Sequence, residues 1–428
     1  KNFARSHFFH KPPSKQGIIQ QSVLNHKYGR LTNNCLSLLR HPLKPKKNES
    51  INHFLGLLLI ANTVFSQPSK EEQKIRKLFE KEVKSKDVHN AFFAVHSEKL
   101  DLNFNWAEGK LKDGTEVSTS NPFHSASIGK TFTATTIVLL QEEGKLQFDD
   151  LISKYLAKDI MDSLHLYEGV DYSNKITVAH LLQHQSGLPD YFEDQPASGP
   201  SMRELLVTDT AHFWTPIELL LFAKDQMQPH FAPGTGYHYS DTEYILLGMI
   251  IENITGKILH QVFEERIFSP LNMAHTSMHL RATPLGKTGT MAELYVEDLE
   301  ISTYTSLSLD WAGGGLLTTC EDLLIFEQAL IKGEIVSPNS LEKMQNWTPE
   351  SRGMYYGYGL RKFELKELFF TLPEVSLIGH SGSTGSFMYY CPEWDVYLMG
   401  TFNQTEYLKE HVVFLAKVMA LLNKRAQY

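Results

Sequence analysis

Ser127 and Lys130 lie three positions apart at a point where a helix is predicted to begin. The preceding segment, 117–122, is turn-like, and the following segment, 131–140, is largely apolar and contains neither Pro nor Gly. Side chains with this spacing share one face of a helix. A serine in the first turn also lies beside unpaired backbone N–H groups and the positive end of the helix dipole. The pair therefore predicts a nucleophilic serine whose proton passes to an amine, although Ser-x-x-Lys also occurs by chance on surface helices.

Tyr239 and Asp241 form the second group of candidate residues. They follow a Pro-Gly turn at 233–234 and precede an apolar run at 244–251, so we expect them on a loop just before a helix. Loops held on a rigid scaffold often carry catalytic side chains. The structural alternative is that Asp241 caps the helix and Tyr239 is packed.

The third group lies in a segment rich in Gly and Ser, which contains His380, Ser381, Gly382 and Ser383. The residues that follow, 387–402, form two apolar runs around a Pro-containing turn, a pattern that predicts a β-hairpin. Glycine at the edge of a strand lets a substrate approach the backbone closely. The alternative is a loop with a histidine that faces solvent.

Together, these three groups resemble the serine β-lactamase and penicillin-binding-protein superfamily, and most of all its branch of class C β-lactamases, D-aminopeptidases and esterases. Segments 181–190, 313–323 and 356–360 resemble further landmarks of that superfamily. The resemblance runs from about residue 70 to the C-terminus. It implies an α+β, β-lactamase/transpeptidase-like fold.

The resemblance also implies roles for the candidate residues. Ser127 would be the acylated nucleophile, and Lys130 would keep it deprotonable. Tyr239 would act as general base and then as general acid, with a phenolate eased by Lys130 as one option, because burial and clustered cations can shift a pKa strongly. Backbone N–H groups of Ser127 and Ser383 would form the oxyanion hole.

Two residues depart from the pattern of the superfamily. Asp241 stands where many members have Asn, and its carboxylate could bind a substrate amine or pair with Lys130. His380 takes the place of the Lys in the Lys-Thr-Gly motif, beside Ser381 and Gly382 as substrate-binding positions. We expect this histidine to titrate near neutral pH. Both departures favour esterase-like or aminopeptidase-like chemistry over hydrolysis of β-lactams.

The predicted function is therefore that of a serine hydrolase that forms an acyl-enzyme with a small ester, a D-amino-acid peptide or a related amide. The alternatives are a non-catalytic or slowly acylated binding or sensor module on the same fold, and a β-lactamase. The literal Lys-Thr-Gly at 287–289 comes too early in the chain and is predicted to be a loop. We expect no cofactor, and no metal site because none of the histidines forms a His-x-His or His-Glu-x-x-His pair.

The first part of the chain differs in composition from the rest. Residues 1–66 carry ten Lys or Arg against one acidic residue, whereas the remainder carries 31 against 48, a formal charge of −17. That charge argues against a nucleic-acid partner. Residues 1–45 are predicted to be a disordered leader and 46–66 a signal peptide, with residues 54–65 as a possible membrane anchor if they are retained. Residues 67–428 would then be a single secreted or periplasmic domain with no membrane span; its oligomeric state stays open.

The elements that must position these residues follow from periodicity. A Ser-x-x-Glu start at Ser69 predicts a capped helix with Ile75, Leu78, Phe79 and Val83 on one face. Further elements are expected as strands at 91–95 and 102–106, a mostly helical block at 127–270, strands within 355–403, and a helix at 406–424. Strands at both chain ends indicate an antiparallel sheet built from both termini, with flanking helices and an all-helical subdomain beside it. The site would lie at their seam, and 191–214 would be a lid or specificity loop.

Overall fold

The computed structural model describes residues 69–84 and 88–426. The predicted leader, signal peptide and anchor at 1–66 lie outside these residues. The strands are β1 Asn90–Ser97, β2 Leu102–Gly109, β3 Phe123–His124, β4 Leu166–Tyr167, β5 Val170–Asp171, β6 Ser277–Met278, β7 Tyr295–Val296, β8 Leu299–Glu300, β9 Leu316–Thr318, β10 Thr348–Ser351, β11 Met354–Tyr356, β12 Arg361–Glu364, β13 Ser376–Ser381, β14 Phe387–Cys391 and β15 Val396–Thr401. The α-helices are α1 Lys70–Val83, α2 Gly129–Glu142, α3 Lys158–Met161, α4 Val178–Leu182, α5 Met202–Thr208, α6 Pro216–Gln226, α7 Asp241–Thr255, α8 Leu259–Phe263, α9 Ser269–Leu271, α10 Trp311–Gly314, α11 Cys320–Ile331, α12 Pro338–Met344, α13 Leu365–Leu368 and α14 Glu410–Ala426.

Both ends of the chain contribute to one large sheet, as the sequence predicts. Its eight strands run in the order β10-β11-β12-β13-β14-β15-β1-β2, and each neighbouring pair is antiparallel. The predicted hairpin is confirmed, because β14 pairs with β15 along its whole length. The predicted loop at 287–289 is also confirmed.

Strand β1 is apolar along almost its whole length because both of its faces are buried. Phe93 packs against α1 and α14, with its ring 5.7 Å from Phe79 and 4.9 Å from Phe414. Phe92 points to the opposite face and stacks 5.4 Å from Phe123. Successive side chains of a strand point to opposite faces, so this strand separates two cores, one toward α1 and α14 and one toward the helical subdomain.

Helix α1 begins where the sequence predicts. The Ser69 side chain accepts a hydrogen bond from the backbone N–H of Glu72 at 3.1 Å, which satisfies one of the unpaired donors of the first turn. Ile75 and Phe79 of the predicted face are buried, and this face anchors the helix on the sheet.

The helical subdomain is tightly packed around α2. Nearly every residue of α2 is buried, and two of its threonines bond to neighbouring segments: Thr131 donates to the carbonyl of Gly359 at 2.8 Å and Thr133 to the carbonyl of Ala312 at 2.6 Å. A Cβ on Gly129 would lie 2.8 Å from Gly314, so glycine is needed where α2 meets α10. This close packing fixes the start of α2, which carries the candidate nucleophile.

Three expectations need correction. The subdomain that the sequence predicts to be all-helical also contains the β4–β5 hairpin. The proposed lid at 191–214 contains α5, which begins with a capping box at Ser201. The last helix begins at Glu410, not at 406, because residues 405–408 form a separate 3-10 turn. Within the described residues, no helix combines the length and the apolar character that a membrane crossing requires.

Candidate active site

Ser127 lies on a short 3-10 turn, Ala126–Ile128, directly before α2. Ala126 has a positive φ of 45°, a conformation that costs free energy in a non-glycine residue and is common at functional sites. Gly314 holds this turn in place, since a Cβ there would lie 2.7 Å from the Ala126 backbone. Ser127 is partly exposed while its neighbours are buried, so its hydroxyl is presented to a cavity.

Lys130 is fully buried below Ser127. Its Nζ lies 3.2 Å from Ser127 Oγ and 3.0 Å from the carbonyl oxygen of Gly313, and it forms an ion pair with Asp241. Burial lowers the pKa of Lys130, but the negative charge of Asp241 and the nearby Tyr239 raise it more, so that the net pKa lies above the ordinary value. Lys130 is therefore an ammonium ion near neutral pH.

Asp241 is the first residue of α7 and is not its N-cap. Ser240 occupies the cap position and makes no side-chain capping bond. The backbone N–H of Asp241 donates to Asp190 Oδ1 at 3.2 Å. Of the two roles that the sequence left open for this carboxylate, the structure has the pairing with Lys130.

Tyr239 lines the same cavity as Ser127 and Asp241. Lys130 Nζ is 5.0 Å and the Arg361 guanidinium carbon 5.4 Å from the centre of its ring. Burial raises the pKa of Tyr239, and Asp241 adds to this, while Lys130 and Arg361 lower it by less. The net pKa is above the ordinary value, which favours the protonated phenol over the phenolate option in the resting site.

His380 is buried in β13 and makes two hydrogen bonds within the protein. Its Nδ1 lies 2.8 Å from the carbonyl oxygen of Ser381, and its Nε2 lies 2.9 Å from the hydroxyl of Tyr356. With Nδ1–H donating to the carbonyl, Nε2 accepts from the tyrosine. Burial, together with the positive charges of Arg361 and Lys130, holds the pKa of His380 well below its usual range. The expectation that His380 titrates near neutral pH is therefore wrong.

Arg361 is a cation near Tyr239 that sequence reasoning missed. It lies on β12 opposite Gly379, next to His380, and it lines the cavity. Its guanidinium makes two hydrogen bonds of 2.9 Å to the carboxylate of Glu350 on β10. Only the strand register could have identified it, because nothing in the sequence distinguishes Arg361 from the adjacent Lys362.

The Gly-Ser segment 381–386, which begins at the last residue of β13, lies against the 3-10 turn that carries Ser127. Ser381 and Ser383 line the same cavity as Ser127. Gly382 packs directly on the turn, where a Cβ would lie 2.6 Å from the carbonyl oxygen of Ser125. The structure thus brings Ser381, Gly382 and Ser383 to the turn and cavity of Ser127, whereas His380, the fourth residue predicted from this segment, is buried in β13.

The cavity has a volume of about 540 Å³, and its lining combines acidic and apolar side chains. Acidic side chains that the sequence did not identify, Glu193 and Asp310, join Asp241 near Ser127. Burial and the charge of Asp241 raise the pKa of Asp310 to about 7. Lys409 and His411 also line the cavity, and its apolar lining residues include Met354, Phe363, Leu368, Phe369, Leu408, Val412 and Val413.

Comparison with known proteins identifies the family of the chain. A family model described as Beta-lactamase matches residues 75–417. The chain is 28% identical over 269 residues to penicillin-binding protein 4* of Bacillus subtilis, a match that covers 60% of this chain and 55% of that protein. The chain thus spans only about half the length of that relative.

Two solved structures are similar over most of the chain. A D-amino acid amidase from Ochrobactrum anthropi is 24% identical with a TM-score of 0.68, covering 83% of this chain and 99% of that one. A D-stereospecific amidohydrolase from Streptomyces sp. is 26% identical with a TM-score of 0.64, covering 78% and 94%. These likenesses confirm the α+β, β-lactamase/transpeptidase-like fold that the sequence predicts.

Proposed function

Because the chain belongs to the β-lactamase family, we propose that it is a serine hydrolase that forms an acyl-enzyme on Ser127 with a small ester, a D-amino-acid peptide or a related amide. The observation that carries this proposal is the 3.2 Å contact between Ser127 Oγ and Lys130 Nζ at the wall of a 540 Å³ cavity. A serine in contact with a proton-transferring amine is the arrangement that covalent catalysis requires.

The proton of Ser127 has one favourable route out of the site. Both ring nitrogens of His380 already have hydrogen-bond partners, Tyr356 and a backbone carbonyl, and Tyr239 keeps its own proton. Lys130 is already protonated, so it can accept the serine proton only if it gives up another proton at the same time. As Ser127 attacks the substrate carbonyl, its proton moves to Lys130 Nζ while Lys130 passes a proton to the Asp241 carboxylate. Charge is balanced in this relay, because Lys130 stays an ammonium ion and Asp241 becomes neutral.

Protonated Tyr239 serves as the general acid in this scheme. Its hydroxyl donates to the departing alcohol or amine, and the Lys130–Asp241 pair restores the proton. Backbone N–H groups of Ser127 and Ser383 are the proposed donors to the oxyanion. In the second half of the reaction, water takes the place of the leaving group and the proton transfers run in reverse, so that Ser127 regains its proton.

The cavity favours substrates with an apolar group and without a carboxylate beside the scissile bond. Asp241, Glu193 and Asp310 line the cavity together with Ser127, whereas the cation beside Tyr239 on the sheet side, Arg361, is already bonded to Glu350. Neutral esters and amides that carry a free amine fit this charge pattern. The 26% identity to a D-stereospecific amidohydrolase supports the same class. A carboxylate-bearing β-lactam fits it less well.

A binding or slowly acylated sensor function is the second candidate. It is favoured by one observation: a protonated Lys130 donates a hydrogen bond to Ser127 Oγ, which reduces the nucleophilicity of that oxygen. In this case the protein would bind or be labelled without turnover.

Initial rates on a nitrophenyl ester, a D-alanyl anilide and a chromogenic cephalosporin distinguish these functions. We expect turnover of the ester or the anilide, its loss in Ser127→Ala, and no loss in Ser120→Ala, which removes an exposed hydroxyl seven residues away. Mass spectrometry should find the acyl group on Ser127. Full activity in Ser127→Ala would refute the proposal, and stoichiometric labelling without turnover would support the sensor.

The proposed location of this activity is outside the cytoplasm. It rests on the basic and apolar pattern of residues 46–66, which lie outside the described residues. Expression of the full chain in a bacterial host, followed by fractionation and N-terminal sequencing, tests it. Full-length protein retained in the cytoplasm would contradict the proposal.

A further inference from the structure

Three potential metal ligands converge at the surface next to the cavity. Asp194 Oδ2 lies 2.8 Å from His230 Nε2 and 2.9 Å from His238 Nε2. The two imidazole rings lie side by side, with their centres 3.7 Å apart. All three ligand atoms lie within 4.8 Å of one another, and one face of the cluster is open to solvent because His230 is exposed.

The backbone around this cluster is held by hydrogen bonds to a single turn. The N–H of His230 donates to the carbonyl of Gly187 at 2.8 Å, and the N–H of His238 donates to the carbonyl of His184 at 3.0 Å. Gly187 has a φ of +77°, and a Cβ there would lie 2.1 Å from the Phe231 carbonyl oxygen. Only glycine allows this close approach, so the two histidines are preorganised rather than carried on free loops.

Hydrogen bonding among the three side chains is crowded at a single carboxylate oxygen. Asp194 Oδ2 receives both imidazoles and also the backbone N–H of Asp190 at 2.8 Å, so three donors share one oxygen. The donor atoms of a tetrahedral zinc site are about 3.3 Å apart, given bond lengths near 2.0 Å. The two separations from Asp194 Oδ2, 2.8 and 2.9 Å, are therefore only about 0.5 Å shorter than in that geometry.

We propose that Asp194, His230 and His238 bind a Zn²⁺ ion, with the fourth position open to water. Two imidazole nitrogens and one carboxylate oxygen are a ligand set that suits this borderline-soft ion. The sequence pattern predicts no metal site because the ligands come from two loops, with Asp194 36 residues before His230. Neither loop contains a metal-binding motif by itself.

The ion would connect two walls of the catalytic cavity. Asp194 follows Glu193, and His238 precedes Tyr239, and both of these neighbours line the cavity. Zinc would join the loop at 190–194 to the loop at 230–241 and so stabilise the cavity around the serine. We therefore expect zinc to raise the melting temperature and to act on the site as a positioning element, without contact to the substrate.

The test uses the full-length protein after treatment with a chelator, titrated with ZnCl₂ at pH 7.5 in a calorimeter and without substrate. We expect one equivalent to bind, and Co²⁺ in the same site to give the visible absorption of a tetrahedral complex. Asp194→Asn and His230→Gln should each weaken binding by more than about 100-fold, since loss of a ligand costs at least as much as loss of an outer-shell partner.

His212→Gln is the matched control. His212 also has carboxylates nearby, Asp209 at 3.9 Å and Glu218 at 3.3 Å, but no second imidazole is paired with it in the described residues. The control should bind zinc like the parent. The proposal is overturned if no saturable 1:1 binding occurs, if His230→Gln binds as tightly as the parent, or if the control loses zinc as well. Because no substrate is present, these results are independent of the proposed hydrolase activity.

Discussion

Asp241→Asn tests the proposed proton relay at its final acceptor. Asparagine keeps a side-chain oxygen near Lys130 Nζ but removes the charge that accepts a proton. In the parent, Lys130 is protonated and contacts both Ser127 and Asp241. We expect the variant to lose activity at pH 7, because its lysine is still largely an ammonium ion and no longer has a carboxylate to receive a proton.

The size of the loss follows from the chemistry of the pair. General acid–base catalysis contributes about 10²–10⁴-fold, equivalent to roughly 3–5 kcal/mol of barrier. Removal of an opposite charge in direct contact lowers the pKa of Lys130, because the burial that already disfavours its charge remains. Activity of the variant should therefore recover as pH rises, when the lysine becomes neutral and accepts the serine proton itself.

The ion pair between Lys130 and Asp241 also contributes to the stability of the folded protein. The folded-state pKa of Lys130 is raised, so the ion pair contributes its full stability below the ordinary lysine pKa, and this contribution is lost only as pH rises through the raised value. The parent should keep its stability through pH 9. The variant lacks this contribution and buries a lysine whose charge burial disfavours, so its melting temperature should fall at neutral pH and recover part of that loss as pH rises and the lysine becomes neutral.

The assay is the pH dependence of kcat/KM between pH 6 and 10 for an ester substrate. Glu193→Gln is the matched control, since it removes a carboxylate from the same cavity with no ion pair to Lys130 in the described residues. The parent and the control should have no rising alkaline limb in this range, while Asp241→Asn should have one. A folded Asp241→Asn with parental activity and a parental profile would refute the relay.

Three other substitutions test the arrangement of the site. His380→Asn should leave the shape of the kcat/KM profile between pH 5.5 and 8 unchanged, because burial keeps the histidine neutral there; loss of a transition from the profile would contradict this. Gly382→Ala should lower the free energy of unfolding by about 1–3 kcal/mol in a denaturant titration, since its Cβ would lie 2.6 Å from the Ser125 carbonyl; an unchanged midpoint would contradict the described packing. Arg361→Met should lower the free energy of unfolding by about 3–5 kcal/mol, because Glu350 stays partly buried without its partner. The double variant with Glu350→Leu should recover part of that loss, and no recovery would contradict the pairing.

Local spacing determined the parts of the site that lie within one element. Ser127 lies on the 3-10 turn before α2 and Lys130 in the first turn of α2, and their spacing of three residues brings the two side chains together as the sequence predicts. The cap at Ser69 and the β14–β15 hairpin are likewise local, and both were predicted correctly. The order of strands and helices along the chain was enough to indicate a sheet built from both termini.

The electrostatics of the site were decided only by tertiary structure. The sequence identifies His380 but not its burial under Tyr356, so its pKa was predicted wrongly. Asp241 had two open roles, and the packing of α7 beside α2 selected the pairing with Lys130.

Contacts between residues that are far apart in the sequence could not be predicted from it. The pairing of Arg361 with Glu350 depends on strand register, and the cluster of Asp194 with two histidines depends on two loops that cross one turn. Spacing fixes which side chains of one helix or strand share a face. Charge state, pKa and ligand geometry depend on neighbours that are distant in sequence, and these are set only when the chain has folded.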